Sequence, residues 1–185
     1  MNIVIGLYGM MCSGKDTVAE IFIKDGYKKV SVSEDVLKPI LNTMKVKVDR
    51  LNYIKLGKTL KSFRKDALAF LTHALMNKGD KLKYIVPNIM TFEEARYFKN
   101  QTDIKFILIE IRAEQMTRYE RNLIRGSEKD VRELIEFKKQ DNSNLTQTGL
   151  KELMHAQLND YTIENNGTQE ELENKIRKII GELQC

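Results

Sequence analysis

Lys15 closes the run Gly9-Met10-Met11-Cys12-Ser13-Gly14-Lys15, and Asp16 and Thr17 follow it directly. The first seven residues fit the start of G-x-x-x-x-G-K-[ST]. In that pattern the glycines let the backbone come close to a ligand, successive amides point at phosphate oxygens, and the lysine reaches the β- and γ-phosphates. The chemistry this implies is binding of a nucleoside triphosphate, with ATP the expected ligand. The hydroxyl that normally follows the lysine and ligates magnesium is replaced by Asp16, with Thr17 one residue later. Magnesium keeps several waters and needs only one or two carboxylates, so Asp16, Thr17 and water are the expected metal holders.

Further side chains could act beside such a loop. Arg118, Arg121 and Arg125 are three and four residues apart and so share one helical face. Cations so placed suit phosphoryl transfer, whose catalysis is positioning and charge stabilisation; the plainer alternative is a solvated face balanced by Glu114 and Glu128. Asp35 follows the second strand, where it could face an acceptor or accept its proton, or else sit in the first turn of a helix capped by Ser33. Arg64 on the long middle helix, for which a plain exposed arginine is the commoner alternative, and Asn88 after strand three complete the acceptor candidates. Asn165-Asn166-Gly167, after strand five, could rim an adenine pocket while turning the chain into the last helix. Glu110, after Phe106-Ile107-Leu108-Ile109, has the local pattern of a strand-end metal carboxylate but falls on strand four.

These residues need elements to position them. Asn2-Ile3-Val4-Ile5-Gly6-Leu7-Tyr8 reads as a strand ahead of the loop, and Val18, Ala19, Ile21 and Phe22 share a face of the helix after it, which stops near Asp25-Gly26. Further strands are expected at Lys28-Lys29-Val30-Val32, Tyr84-Ile85-Val86, Lys105 to Ile109, and Tyr161-Thr162-Ile163. A long helical stretch runs from about Asp49 to Asn77, with breaks suggested at Gly57 and Asp66. Thr168 and Glu171 form a capping box ahead of a stripe of Leu172, Ile176, Ile179, Ile180 and Leu183. Gln140 to Thr148 reads as a loose surface excursion. Alternating strands and helices with continuous apolar strands predict a parallel five-stranded sheet covered on both faces, a three-layer αβα domain whose ligands sit at the strands' carboxyl ends.

The chain's 185 residues suit one domain, residues 1–185, with a lid at about 115–148. The 31 basic and 26 acidic residues give +5 without a basic block, so a nucleic-acid partner is not indicated. The first strand begins at once and no apolar run approaches the ~20 residues of a spanning helix, so a soluble, cytoplasmic protein is expected. Cys12 and Cys185 cannot make a disulfide framework or a zinc site, and His73 and His155 lack metal-ligand spacing.

With these residues in view, the chain resembles the P-loop nucleoside monophosphate kinases and, among them, archaeal proteins related to dephospho-coenzyme A kinase. Gly9 to Thr17 resembles their phosphate loop, and Gly-Lys-Asp-Thr is similar to the variant in phage-type deoxynucleoside monophosphate kinases. Ser31 to Val36, Leu56-Gly57 through Phe63-Arg64, the lid-like Arg118-Tyr119-Glu120-Arg121 with Arg125-Gly126, and Asn165 with Gly167-Thr168 match further segments. The resemblance implies a P-loop NTPase fold that binds ATP and magnesium and transfers the γ-phosphoryl group to a small nucleotide-like acceptor. It departs at Pro87-Asn88-Ile89-Met90, where that group commonly has an aspartate and an arginine. A nucleotide-binding protein without kinase activity, acting as sensor or partner module, is the alternative. A GTPase is a weaker rival, since Lys138-Lys139-Gln140-Asp141 resembles a guanine-reading motif only loosely.

Overall fold

Strand β1, Asn2–Tyr8, sends alternate side chains to opposite faces of a sheet, and both sets are apolar. Ile5 and Leu7 pack on one side with Val18, Ala19, Ile21 and Phe22 of helix α1, Lys15–Lys24, and with Leu172, Ile176, Ile179 and Ile180 of helix α9, Gln169–Gln184. Val4 and Tyr8 pack on the other side with Ala95 and Phe98 of α5, Phe92–Lys99, and Leu150 and Leu153 of α8, Leu150–His155. Each large side chain so buried contributes roughly 1.5–3 kcal/mol relative to exposure. The two faces make a three-layer α/β arrangement. The structure is a computed structural model that describes residues 1–76, 82–126 and 131–184.

The other strands are β2, Lys28–Lys29, β3, Lys83–Val86, β4, Ile104–Arg112, and β5, Tyr161–Glu164. All pair in parallel in the order β2-β3-β1-β4-β5, so the five-stranded parallel sheet read from the sequence is present. From β1 the chain runs outward toward β2, and from β4 outward toward β5. The crevice beyond the carboxyl ends of β1 and β4 is therefore the topological switch point. The Gly9 to Thr17 loop leaves β1 there, and Tyr8 lies opposite Glu110 in the register.

Three local expectations are corrected. Strand two does not reach Val32: the Ser31 hydroxyl accepts from the Glu34 amide, and a π-helical turn, Val32–Leu37, begins and runs into α2, Lys38–Thr43. Gly57 does not break its helix. Helix α3, Arg50–Phe63, runs through it, started by Asp49, whose carboxylate accepts from the Asn52 amide at 2.9 Å, and held by Tyr53, Leu56 and Leu60 packing toward Leu37 and Leu68. The break comes at Arg64 to Asp66, ahead of α4, Ala67–Ala74. Gln140 to Thr148 is not a loop: all but Thr148 belong to α7, Leu134–Gln147. Its poor helix formers are outweighed by Phe137 and Asp141, four apart and both buried. The Thr146 hydroxyl bonds back to the Asn142 carbonyl at 2.9 Å. Asn77, the expected end of the middle helical stretch, and Glu128 lie outside the described residues. Among the described residues no helix is long and apolar enough to cross a membrane.

Candidate functional site

Two glycines shape the loop. Gly9 has φ +146°, and a Cβ there would lie 2.2 Å from the Ile111 carbonyl oxygen of β4. Gly14 has φ +101°, and its Cβ would lie 2.3 Å from Nδ2 of Asn165, which donates to the Ser13 carbonyl at 2.8 Å. Only glycine lets β4 and the segment after β5 close on the loop from both sides. Gly14 is also the N-cap of α1 and gives it no side-chain acceptor, so the helix start faces the crevice ready for an anion. Cys12 has φ 58°, a left-handed conformation that a residue with a Cβ adopts at a cost of roughly 1–2 kcal/mol.

The loop and α1 form one wall of a cleft of about 540 Å³. Cys12, Gly14, Lys15, Asp16 and Thr17 line it. Opposite them are Arg121, Ile124 and Arg125 of α6, Gln115–Arg125, with Asn165, Gly167, Gln169 and Leu172 from the chain's last turn and helix. Lys15 donates to the carbonyls of Gly9 at 2.8 Å and Met10 at 2.9 Å. Burial pushes its ammonium down to about 8, against the pull of Asp16 and Cys12 and with a small push from Arg118 and Arg125. Arg121 donates through Nη2 to Asn165 at 3.4 Å, while its Nη1 is buried with no hydrogen-bond partner. An anion in the cleft would favour the charged form of Lys15 and offer Arg121 an acceptor. The residues present therefore fit a phosphate chain. Asp16 and Thr17 could share a magnesium ion carried with it, although no group of three or more His, Cys, Asp or Glu suited to a metal occurs among the described residues.

Other residues proposed from the sequence are placed elsewhere. Arg118 is buried and ion-paired with Asp141 of α7, its Nη2 donating at 2.7 Å. It also donates to the Ala113 carbonyl at 3.0 Å and the Met11 carbonyl at 3.3 Å, tying α6, α7 and the phosphate loop together without facing the cleft. The Asp35 carboxylate accepts from the Ser31 amide at 2.7 Å, so it serves the helix start, with Ser31 and not Ser33 as the cap. Arg64 pairs with Asp66 and lies over the Phe70 ring, 4.4 Å from its centroid, with aromatic and carboxylate partners both outside the clefts. Asn88 is exposed and lines neither cleft, because Ile89 turns inward and bonds the Leu7 carbonyl at 2.8 Å. Asn166 accepts from the Glu114 amide at 2.8 Å and sets the start of α6, leaving Gly167 at the cleft.

Glu110 is 1 % exposed, pairs with Arg112 at 2.8 Å, and sits behind the loop beside a separate cavity of about 290 Å³. It does not reach the phosphate cleft. Burial and this carboxylate push the Tyr8 hydroxyl above its usual range.

A second cleft, of about 450 Å³, adjoins the first at the loop. Met11 and Arg125 line it, and Arg125 lines both. Its walls are α3, through Arg50, Tyr53, Ile54, Gly57, Lys58 and Lys61, and α7, through Gln140, Ser143, Asn144 and Gln147. Gly57, Lys58 and Lys61 fall within the Leu56 to Arg64 match and the α7 residues within the stretch read as a loop, but none was named from the sequence as lining an acceptor site. The available signal was positions 50, 54, 57, 58 and 61, one helical stripe carrying cations where an apolar face would otherwise run.

No family model matches the chain. A UPF0200/UPF0201 protein of Archaeoglobus fulgidus is 31% identical over 185 residues, covering 96% of this chain and 54% of that protein, so the chain spans about half the length of this relative. A UPF0200 protein of Pyrococcus horikoshii is 30% identical over 187 residues, covering 97% of each. Among solved structures, shikimate kinase from Acinetobacter baumannii, in complex with shikimate, superposes with a TM-score of 0.61 at 16% identity, over 97% of this chain and 93% of that one. Dephospho-CoA kinase from Campylobacter jejuni gives 0.54 at 17% identity over 99% and 98%. At such identities the likeness shows the fold, a three-layer αβα P-loop NTPase fold, and not membership of either kinase group. The chain belongs to the UPF0200 family.

Proposed function

We propose that the protein is an ATP-dependent phosphotransferase that moves the γ-phosphoryl group to a small nucleotide-like acceptor. The observation that carries this reading is the pair of adjoining clefts with Arg125 lining both. One has a phosphate loop and a buried arginine nitrogen without an acceptor; the other is walled by cations and amides. Gly9 to Thr17 would cradle the triphosphate, with Gly167 beside the base and Asn166 holding α6 in place. Lys15, Arg121 and Arg125 would stabilise the charge on the transferring group. Arg118 would act by positioning, since Asp141 already holds its guanidinium. Magnesium, held by Asp16, Thr17 and the phosphates, would neutralise charge on the phosphate oxygens. Residues 1–185 would act as one domain, with a lid at about 115–148 excluding water.

The test is phosphorus NMR of the protein with Mg-ATP and a panel of nucleoside monophosphates, dephospho-coenzyme A and shikimate. Formation of ADP together with a new phosphorylated product supports transfer. Binding of Mg-ATP without transfer to any acceptor favours the sensor reading, which the exposed Asn88 in place of an acceptor-binding group motivates.

A further inference from the structure

We infer that the outer face of α3, with the turns at either end of it, is a docking surface for single-stranded nucleic acid, whose phosphates lie on its cations and one of whose bases lies on the ring of Phe63. This stands apart from the phosphotransfer reading, because Lys45, Lys55, Phe63 and Lys65 line neither the phosphate cleft nor the second cleft.

Positions 45–66 hold eight lysines and arginines against two aspartates, a net +6 in a chain whose total is +5. The rest of the protein is therefore close to neutral. No more than two of these cations are adjacent in sequence, so they read as no basic block; the helix gathers them. Arg50, Lys55, Lys58 and Lys61 recur every three to five residues on the outer arc of α3, whose 14 residues span about 21 Å. Lys45 and Lys47 extend the row ahead of the helix, and Lys65 extends it beyond. Asp49 is engaged in capping α3, 3.8 Å from Lys47, and Asp66 holds Arg64. Among the described residues the other six cations form no ion pair. Such charges repel one another, and a polyanion lying across them relieves that repulsion while releasing its own counterions.

Aromatic rings are set among these charges. Phe63, between Lys61 and the pair Arg64-Lys65, is 85 % exposed. Phe70 is half-exposed, with the Arg64 guanidinium 4.4 Å above its ring and 5.5 Å from that of Tyr97. An unstacked base offers a flat face to such a ring and its phosphates to the cations alongside, the combination that holds single strands without sequence preference. A duplex hides its base faces and would meet the charges alone.

An anionic lipid surface also attracts cations, but a helix lying in it must have an apolar face to bury there. That face of α3 is already spent, since Tyr53, Leu56 and Leu60 pack toward Leu37 and Leu68. The exposed Leu51 and Ile54 alternate with Arg50, Lys55 and Lys58 around the outer arc and form no continuous apolar stripe. The face is therefore complementary to a flexible chain of phosphates and bases and not to a bilayer.

The experiment is fluorescence anisotropy of labelled oligouridylate and oligothymidylate, each of about 12 nucleotides, with the full chain from about 50 to 200 mM salt. Contact with about five phosphates gives a slope of about −3.5 in log affinity against log salt, a loss of roughly 100-fold over that range. Lys45→Gln with Lys55→Gln and Lys65→Gln should shrink the slope by about 2 and weaken binding at least tenfold at the lower salt. Removing as many charges elsewhere, by Lys24→Gln, Lys105→Gln and Lys178→Gln, should change affinity by less than about threefold. Phe63→Ala should weaken binding at least about fivefold and leave the slope alone. Circular dichroism establishes that each variant is folded. Binding of either strand with this dependence supports the inference, and the tighter of the two shows which sugar the face takes. No binding of either strand at the lower salt, equal losses from the two lysine triples, no effect of Phe63→Ala, or tighter binding of a duplex of the same length overturns it. Tighter binding of phosphatidylserine–phosphatidylcholine vesicles than of the oligonucleotides assigns the face to a membrane and overturns it as well.

Discussion

Lys15 carries a prediction whose size follows from its surroundings. Burial holds its ammonium at about 8 in the ligand-free protein, well below its ordinary 10.5. A bound triphosphate supplies the opposite charge and raises it again, so the nucleotide selects the protonated form. About a tenth of Lys15 is neutral at pH 7 and about nine-tenths at pH 9, so affinity should weaken about tenfold between them, or about 1.4 kcal/mol. Binding should also take up about 0.9 proton at pH 9 against about 0.1 at pH 7. Titration calorimetry with Mg-ATP in buffers of differing ionisation enthalpy measures both. Lys15→Arg, which stays charged, should flatten the slope. An affinity that does not change from pH 7 to 9, or the same slope in Lys15→Arg, refutes the reasoning. The sign for folding is opposite to that for binding: between about pH 8 and 10.5 the unfolded chain holds the extra proton, so the ligand-free protein gains stability as pH rises through that window.

Other outcomes follow from the same geometry. Asp141→Ala leaves Arg118 buried without its partner and should lower stability by about 3–5 kcal/mol in denaturant unfolding, with a smaller loss when Arg118→Met is added. Gly9→Ala forces a Cβ against the Ile111 carbonyl and should cost at least ~2 kcal/mol and abolish Mg-ATP binding, both measurable by thermal unfolding with and without nucleotide. Arg121→Met removes a guanidinium whose Nη1 has no partner before ligand arrives, so ligand-free stability should change by no more than about 0.5 kcal/mol while Mg-ATP affinity falls about tenfold.

The parts legible in the sequence were those set by local pattern. Asn2–Tyr8 and the four buried residues of α1 match the reading, because a continuous apolar run and a 3.6-residue stripe are written in neighbouring residues. The Thr168–Glu171 capping box is present for the same reason, with the Thr168 amide donating to Glu171 at 2.9 Å. What escaped notice depends on distant partners. Helix α7 is polar along most of its length and is anchored by Phe137 and by Asp141 pairing with Arg118, 23 positions earlier. The reading of this stretch as a loop failed, and Arg118 was read as a phosphate clamp without Asp141 in view, because each residue supplies the other's partner. Arg64 was offered to the acceptor from its place on the middle helix and the Leu56 to Arg64 match; it is the exposed arginine of the alternative, held by Asp66 and the Phe70 ring. The α3 stripe was hidden because Gly57 suggested a break, and a helix cut there cannot carry Arg50 and Lys61 on one face.

Titration of Mg-ATP into the full chain at pH 7, with Lys15→Ala beside it, probes the phosphate cleft most directly. Saturable one-to-one binding that the substitution weakens tenfold or more is the expected result. No binding, or equal binding by both proteins, would contradict the assignment of the Gly9 to Thr17 loop as the nucleotide site.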